Sequence, residues 1–567
     1  MHMEQKTYLS IDIGSQRTRA WLFQQCEGYY QLAGSATAQT TVSAGQDVRA
    51  GVRHALLQLQ QTSGIQLLDT DQRLIQGLQG VAGTGISVSA GYPLRTVLIG
   101  VSADLSLASL RRLVDLFYTD VVLELDLQDE LNPTAQLEKL IQSDADLYVI
   151  AGGTDGGSYH PVRAALENMR IVYQSLPRVI RPQVVYAGNS DLAEEARAEL
   201  EAGPDFHLAG NIHPRLGVET LSAAWQAMLE AFAALRRQQL RGLEELEQEC
   251  NATVLPTAFA MSRIVRLIDR IHSNGKGTLA LDVGSSSTTV LAAHGDEFIG
   301  SINRPEISSR TGEETCRWSS LPIDVETASI YMLNKRLHPA FLPDTLEDLA
   351  IEHAWTRVRL QAALQHTQEI FPNFAYHPEQ GLFAPYEPIL LSGESLIRVP
   401  AAQQSLLIAL DGLRPHGITT FTLDERQLMA ALGALAELEP LLAVQMIDAG
   451  AFVNLGTVIT AESTQHASTS LLTIEVDREE AGREKLEVRK GTLKRIEAPQ
   501  DQRIRIYLSP SEFTDVGMGY VGLGGWVTVP GSKVGVVIDA RGRPLELPGD
   551  AEQRSQTIYN WLWELGG

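Results

Sequence analysis

Three short β-favouring runs open the chain: Thr7–Ile13, Thr18–Gln24 and Tyr29–Ala38, broken by turns at Gly14-Ser15 and Glu27-Gly28. They predict an antiparallel meander. A helical stretch follows at Asp47–Gln61. From Thr96 the pattern changes. Apolar runs at Thr96–Val101, Val121–Leu125, Leu147–Ala151, Val184–Ala187 and Phe206–Ala209 alternate with amphipathic segments of helical length. That alternation predicts a parallel sheet with helices on its faces, a Rossmann-like α/β unit lodged inside the first half. Leu221–Cys250 has apolar positions at roughly 3.6-residue spacing and predicts one long helix. Another covers Thr257–Ser273, ending at Asn274-Gly275.

The meander then begins again, with runs at Thr278–Val283, Ser287–Ala293 and Glu297–Asn303 and turns at Gly284-Ser285 and Gly295-Asp296. Helices are expected at Leu346–Ile370 and Asp424–Glu437. From Leu455 the runs Leu471–Val476, Lys485–Lys490, Arg503–Ser509, Gly525–Val529 and Val534–Ile538 predict an all-β sandwich or barrel at the C-terminal end. The expected domains are therefore 1–95 with 218–276, an inserted unit at 96–217, a second half at 277–454, and a β-rich domain at 455–567. At 567 residues, several domains are the natural division.

Both meanders carry the same chemistry. Leu9–Phe23 reads LSIDIGSQRTRAWLF and Leu279–Ala292 reads LALDVGSSSTTVLA. Each is a strand ending in Asp-x-Gly-Ser, a tight turn, and a hydroxyl-bearing return strand. Gly14 and Gly284 allow close backbone approach to phosphate oxygens, and consecutive turn amides form an anion-binding concavity. Ser15, Thr18, Ser285, Ser286 and Ser287 offer hydroxyls. Asp12 and Asp282 are poorly placed for bare phosphate and suit Mg²⁺ held through its waters. One Gly-Ser hairpin is as readily a plain turn; two, each opening a meander, resemble the duplicated hairpin of the actin / sugar-kinase / heat-shock-chaperone superfamily, which implies that both turns close on one triphosphate. Ile389–Ile397, ILLSGESLI, adds a strand running into Gly393-Glu394-Ser395, a turn that resembles that superfamily's adenosine loop.

In the inserted unit, Leu147–Ser158 (LYVIAGGTDGGS) places two glycine pairs around Thr154-Asp155. Loops at the carboxyl ends of parallel strands bind ligands in open α/β sheets, and they also need glycines and Asn or Asp caps for turn geometry alone. Both readings stand. His353 and His366 fit surface or core positions of a helix better than ligand positions. Gly517–Gly525 (GMGYVGLGG) follows no strand–helix pattern and reads as tight β-turns.

Composition narrows the classes. A net charge of -23 argues against a general binder of nucleic acid or anionic membrane. The three cysteines, Cys26, Cys250 and Cys316, are far apart and fit a reducing compartment without a thiolate metal site. Met1–Ser10 lacks a signal pattern and no apolar run reaches the ~18 residues of a membrane helix, so a cytoplasmic protein is expected.

The duplicated hairpin resembles the actin / sugar-kinase / heat-shock-chaperone superfamily. The chain resembles, more closely, the MutL/GlmL-type accessory proteins of methylaspartate (glutamate) mutase. The residues that carry the likeness are DIGSQRT (Asp12–Thr18), AGGTDGG (Ala151–Gly157), AGN (Ala187–Asn189), NIHPRLG (Asn211–Gly217), PTAFAM (Pro256–Met261), LDVGSSSTT (Leu281–Thr289) and the stretch Leu410–Ala436. GVVIDARGRPLELP (Gly535–Pro548) looks like the extension of a long subgroup. The resemblance implies duplicated actin-like (ribonuclease H-like) ATPase domains, binding of ATP and Mg²⁺, and a reactivating role beside an adenosylcobalamin-dependent mutase. It implies Asp12 and Asp282 as catalytic Mg²⁺ holders. Gly14, Ser15, Thr18, Gly284, Ser285 and Ser286 would cradle phosphates, and Gly393 and Ser395 would flank the nucleoside. The sequence departs from the family pattern in three places. Ser285 replaces a glycine and Thr289 an aspartate of the second hairpin; Glu394 stands where a glycine is common. In RTGEETCR (Arg310–Arg317), Arg310, Thr311 and Glu313 carry over, and Glu313 is the candidate for positioning the attacking water.

The leading expectation is a slow ATPase switch acting on a partner protein. A second is a nucleotide-binding scaffold or actin-like assembly protein that has lost hydrolysis, which the altered second hairpin favours. A third, a small-molecule kinase, lacks an evident acid/base constellation.

Overall fold

The computed structural model describes residues 6–42, 46–77, 80–128, 133–157, 159–175, 181–200, 205–272, 275–464, 469–478, 482–500 and 502–566. The expected positions of Met1–Gln5, Ser158, Ser273 and Asn274 lie outside these. The chain divides into two compact units, Met1–Met261 with Ala430–Gln445, and Ser262–Met429 with Met446–Gly567.

In the first unit, Thr7–Ile13, Arg17–Cys26 and Tyr29–Gln39 form the expected antiparallel meander. Gly83–Val88 adds parallel to the first strand, and Val254–Pro256 adds parallel to that. In chain order the sheet runs 3-2-1-4-5. The fourth and fifth strands escaped the sequence pattern for physical reasons. Gly83 and Gly85 weaken the strand signal, yet a Cβ at Gly85 would sit 2.7 Å from the Ala434 carbonyl oxygen. Val254–Pro256 is only three residues long. Leu9, Ile11, Ile13 and Leu22 pack with Val52, Leu56 and Leu59 of the helix Val48–Ser63 in a sealed core.

The inserted unit is a five-stranded, all-parallel sheet. Its members are Thr119–Asp126, Leu94–Gly100, Leu147–Ile150, Gln183–Tyr186 and Phe206–Leu208, in the order 2-1-3-4-5. This is the doubly wound order, as expected. The predicted single helix over Leu221–Cys250 is in fact two, Trp225–Gln239 and Leu243–Cys250. Leu240 turns extended and Gly242 adopts φ 85°, a left-handed conformation few other residues take without strain.

The second unit repeats the first. Gly277–Val283, Thr288–His294 and Glu297–Asn303 form the meander, with Tyr386–Ser392 and Ile418–Leu423 added in parallel, again 3-2-1-4-5. Here the sheet continues. Val453–Thr460, Val536–Asp539 and Leu493–Ile496 extend it to eight strands. A four-stranded antiparallel sheet (Ser470–Arg478, Gly482–Arg489, Arg503–Pro510, Gly525–Pro530) shares a core with these added strands through Ile459, Ile474, Ile506, Val536 and Ile538. The β-rich tail is thus real, but one of its two layers is the end of the large sheet. It closes with a helix, Ala551–Glu564, that the sequence pattern did not single out.

A buried ion chain secures the tail. Arg357 Nε donates to Asp411 Oδ2 (2.7 Å), Arg541 Nη1 to Asp411 Oδ1 (2.7 Å), and Arg541 Nε and Nη2 to Asp539 (2.9 and 3.0 Å). Arg543 Nη2 completes it at 3.1 Å from Asp539. Burial alone would raise Asp539; Arg541 and Arg543 outweigh it and hold the carboxyl well below the usual range.

Two expectations follow. Replacing Arg541 with alanine removes the partner that Asp411 and Asp539 share, leaving each buried acid with a single arginine, and should cost about 3–5 kcal/mol in chemical denaturation. His353, half-buried with its Nε2 sealed and unpaired, is pushed down to about 3 by burial and by Arg357. A depressed histidine contributes stability fully present above pH 6.5 and lost as the unfolded chain takes up a proton below it. His353→Gln should therefore remove about 2 kcal/mol of the stability loss between pH 7 and 5, read from melts across that range.

Candidate functional site

The first hairpin is built from its strands inward. β-Branched and aromatic residues hold Thr7–Ile13 and Arg17–Cys26 in register, pairing Asp12 with Arg19 and Ile13 with Thr18. The turn closes with Gly14 N–H donating to Arg17 O (3.0 Å). A Cβ at Gly14 would lie 2.7 Å from that oxygen, so the turn itself demands glycine. Asp12 is 5% exposed. Its Oδ1 accepts from Ser87 Oγ (2.7 Å), on the fourth strand, and from Thr257 Oγ1 (2.8 Å), just past the fifth. Arg19 Nη1 stands 3.8 Å from Oδ2. Ser15 is half-buried at the turn. Thr18 is fully buried, and its hydroxyl shares a hydrogen bond with Thr40 (2.9 Å), so it braces the second strand to the chain beyond the third.

The second hairpin has the same register, Asp282 opposite Thr289 and Val283 opposite Thr288, and the same closing bond, Gly284 N–H to Ser287 O (3.0 Å). Thr289 is buried directly across from Asp282. Asp282, Gly284, Ser285 and Ser286 are half-buried. A Cβ at Gly284 would meet Ser287 O at 3.4 Å and Asp282 Oδ2 at 3.7 Å, ordinary contacts. Here the fold does not demand glycine, and the absent side chain leaves room beside the carboxylate. The turn is held from behind by Arg359, whose Nη2 donates to Gly284 O (2.6 Å) and Ser287 O (3.0 Å). Burial pushes this guanidinium down to about 10.

Asp424, which the sequence reading passed over, belongs to this half. It follows the fifth strand directly and accepts from the backbone N–H of Leu428 (2.7 Å) and Met429 (3.0 Å). Burial pushes it up to about 7; those amides counter the rise and the Asp282 charge adds to it. Its signal was present, an apolar run ending in Asp as in both hairpins. Ser87, Thr257 and Arg359 carried no comparable signal.

Gly393 follows Tyr386–Ser392 with φ 92°, and a Cβ there would be driven into the Val283 backbone. Only glycine lets the short helix Glu394–Ile397 seat against the strand bearing Asp282. Ser395 Oγ donates to Glu352 Oε1 (3.3 Å), and Glu352 Oε2 takes Tyr331 Oη (2.8 Å) with Lys335 Nζ at 3.4 Å. Glu313 lies exposed on the helix Ser309–Arg317 with no hydrogen bond or ion pair among the described residues. Its neighbours Arg310, Thr311, Glu314 and Arg317 instead line a cavity of about 960 Å³ whose floor includes Trp355 and Arg359.

In the inserted unit, the glycine-rich loop spends its polar groups on its neighbours. Asp155 accepts from Asn211 Nδ2 (2.9 Å) and Ser190 N–H (3.0 Å), and Asn189 Nδ2 donates to Thr154 O (2.8 Å). These bonds stitch three loops together, which favours the turn-geometry reading. Among the described residues no group of three or more His, Cys, Asp or Glu could hold a metal ion, and no helix is long and apolar enough to cross a membrane. A phosphate-bridging Mg²⁺ needs only one or two carboxylates, and Asp12 and Asp282, each at a strand end beside turn amides, fit that need.

Two copies of a 3-2-1-4-5 sheet, each with an Asp-bearing first hairpin, define a duplicated actin-like, ribonuclease H-like fold with an inserted α/β unit. A sequence model described as MutL protein matches residues 8–450, and the chain belongs to the MutL family. Protein MutL of Clostridium tetanomorphum is 21% identical over 263 residues, covering 41% of this chain and 54% of that one. The chain therefore spans about half the length of the curated relative it matches. Among solved structures, a diol dehydratase-reactivating factor in nucleotide-free form shares 11% identity and a TM-score of 0.30, covering 79% of this chain and all of that one. A chain of a PilM–PilN type IV pilus biogenesis complex shares 13% identity and a TM-score of 0.23, covering 80% and 99%. Likeness at this level fixes neither ligand nor partner.

The glycines give a direct check. Gly14→Ala should destabilise the first unit by about 1–3 kcal/mol through its clash with Arg17 O. Gly284→Ala should melt like the wild type while weakening any ligand that enters beside Asp282. Paired thermal melts and nucleotide titrations of both variants measure the contrast.

Proposed function

We propose that the chain binds ATP with Mg²⁺ and serves, with slow hydrolysis, as an accessory and reactivating factor for an adenosylcobalamin-dependent mutase of the glutamate mutase type. The observation that carries this is the repetition of one hairpin, Asp-x-Gly-Ser in the same register, at the heart of both sheets. Asp12 of the first unit and Asp282 of the second are the carboxylates that would hold Mg²⁺. The turn amides at Gly14, Ser15, Gly284, Ser285 and Ser286 receive phosphate oxygens. Thr18 supports this through Thr40 rather than by direct contact. Gly393 and Ser395 flank the nucleoside, Ser395 oriented by Glu352. Glu313, on the helix Ser309–Arg317, is the candidate for orienting the attacking water, and Asp424, raised by burial and by the Asp282 charge, is a second carboxylate near Asp282. Mg²⁺, when bound, neutralises phosphate charge.

A second reading is supported by Thr289: nucleotide binds, hydrolysis is lost, and the chain works as a scaffold or actin-like assembly protein. Membership of the MutL family supports the accessory role; the mutase partner rests on that membership alone.

Nucleotide titration and phosphate-release assays separate the readings. The expected result is ATP binding abolished by chelating Mg²⁺ and weakened at least tenfold by Asp12→Ala, with slow turnover that Thr289→Asp raises. Binding without phosphate release above the Asp12→Ala control leaves only the scaffold reading, and no binding at all overturns both.

A further inference from the structure

The helix Val325–Leu337 buries one face, Ala328, Tyr331, Met332 and Lys335, against the helix Leu346–Ile370 and its neighbours. Its opposite face is apolar where water would be expected. Ile330, Leu333 and Leu337 are 52%, 40% and 71% exposed. The segment that follows also exposes Leu342 and Leu346, while Phe341, 40% exposed, packs its ring on Tyr331. Contiguous exposed apolar surface of this kind marks an interaction site, whereas single exposed leucines need no explanation.

The charges that flank the stripe point to what covers it. With the exposed Glu326 it occupies positions 326, 330, 333 and 337, all within one narrow arc of the helix. The steps are four, three and four residues, so the stripe reads the same in both directions. Under a two-fold axis each residue i meets j while j meets i, and this spacing lets the whole stripe pair with itself in antiparallel. Laid antiparallel on a second copy, Ile330 meets Leu333, and Glu326 meets the turn holding Leu337 and Arg336. Glu326 and Arg336 form no ion pair among the described residues. In the antiparallel pairing each gains the opposite charge, twice over by symmetry; a parallel pairing would set like against like. We propose that the chain forms a two-fold dimer through antiparallel pairing of Val325–Leu337 with the same helix of a second copy.

Sedimentation velocity of the full chain across micromolar concentrations tests this. The expected result is a monomer–dimer equilibrium abolished by Leu333→Glu, with an unchanged thermal melt because the position is exposed. Glu326→Arg or Arg336→Glu alone should weaken association roughly tenfold, as two exposed ion pairs permit, and the two changes combined should restore it. A wild-type chain that stays monomeric, a dimer that survives Leu333→Glu, or a charge swap that fails to restore association overturns the proposal.

Discussion

Three strands close on the carboxylate of Asp12. The parallel addition of Gly83–Val88 sets Ser87 directly across from it, and the end of Val254–Pro256 brings Thr257 to the same oxygen. A buried carboxylate is tolerated only when its lone pairs are met, so the sheet order and the acid depend on each other. The turn that follows, with Gly14 packed against Arg17 O, inherits its shape from that sheet.

The second unit reaches the same geometry by other contacts. Ser392 stands opposite Asp282 as Ser87 does opposite Asp12, but its hydroxyl lies 3.5 Å from Asp424. The turn is fixed by Arg359 from behind, and the neighbouring loop by Gly393 pressed onto Val283. One half is thus organised by hydroxyls around an acid, the other by a guanidinium behind a turn. That difference accompanies Ser285 and Thr289, the two positions where the second hairpin leaves the family pattern.

Much of this was legible in the sequence. Both meanders, the alternating inserted unit and the Asp-x-Gly-Ser turns rest on local periodicity and turn chemistry, which a linear reading detects. The fourth strand was hidden because Gly85 answers to Ala434, hundreds of residues away. The break after Gln239 was hidden because Gly242 sits in a run otherwise suited to helix. Ser87, Thr257 and Arg359 act through partners distant in sequence, and no spacing rule exposes them. Asp424 could have been found, since an apolar strand ending in aspartate had already been singled out twice. Thr18 and Ser395 were recognised by residue type, but their hydroxyls are engaged by Thr40 and Glu352.

The family match ends at residue 450, yet the second unit does not. Asp411 lies well inside the matched region and one of its oxygens is met by Arg541, far beyond it. The strand Ile418–Leu423 is flanked by Val453–Thr460, also beyond the match. A chain truncated at that boundary would leave one Asp411 oxygen without its arginine, only Arg357 remaining to pair the acid, and a bare sheet edge open to foreign strands. Deletions drawn along the family border would therefore report on the exposed edge and on aggregation before they reported on activity.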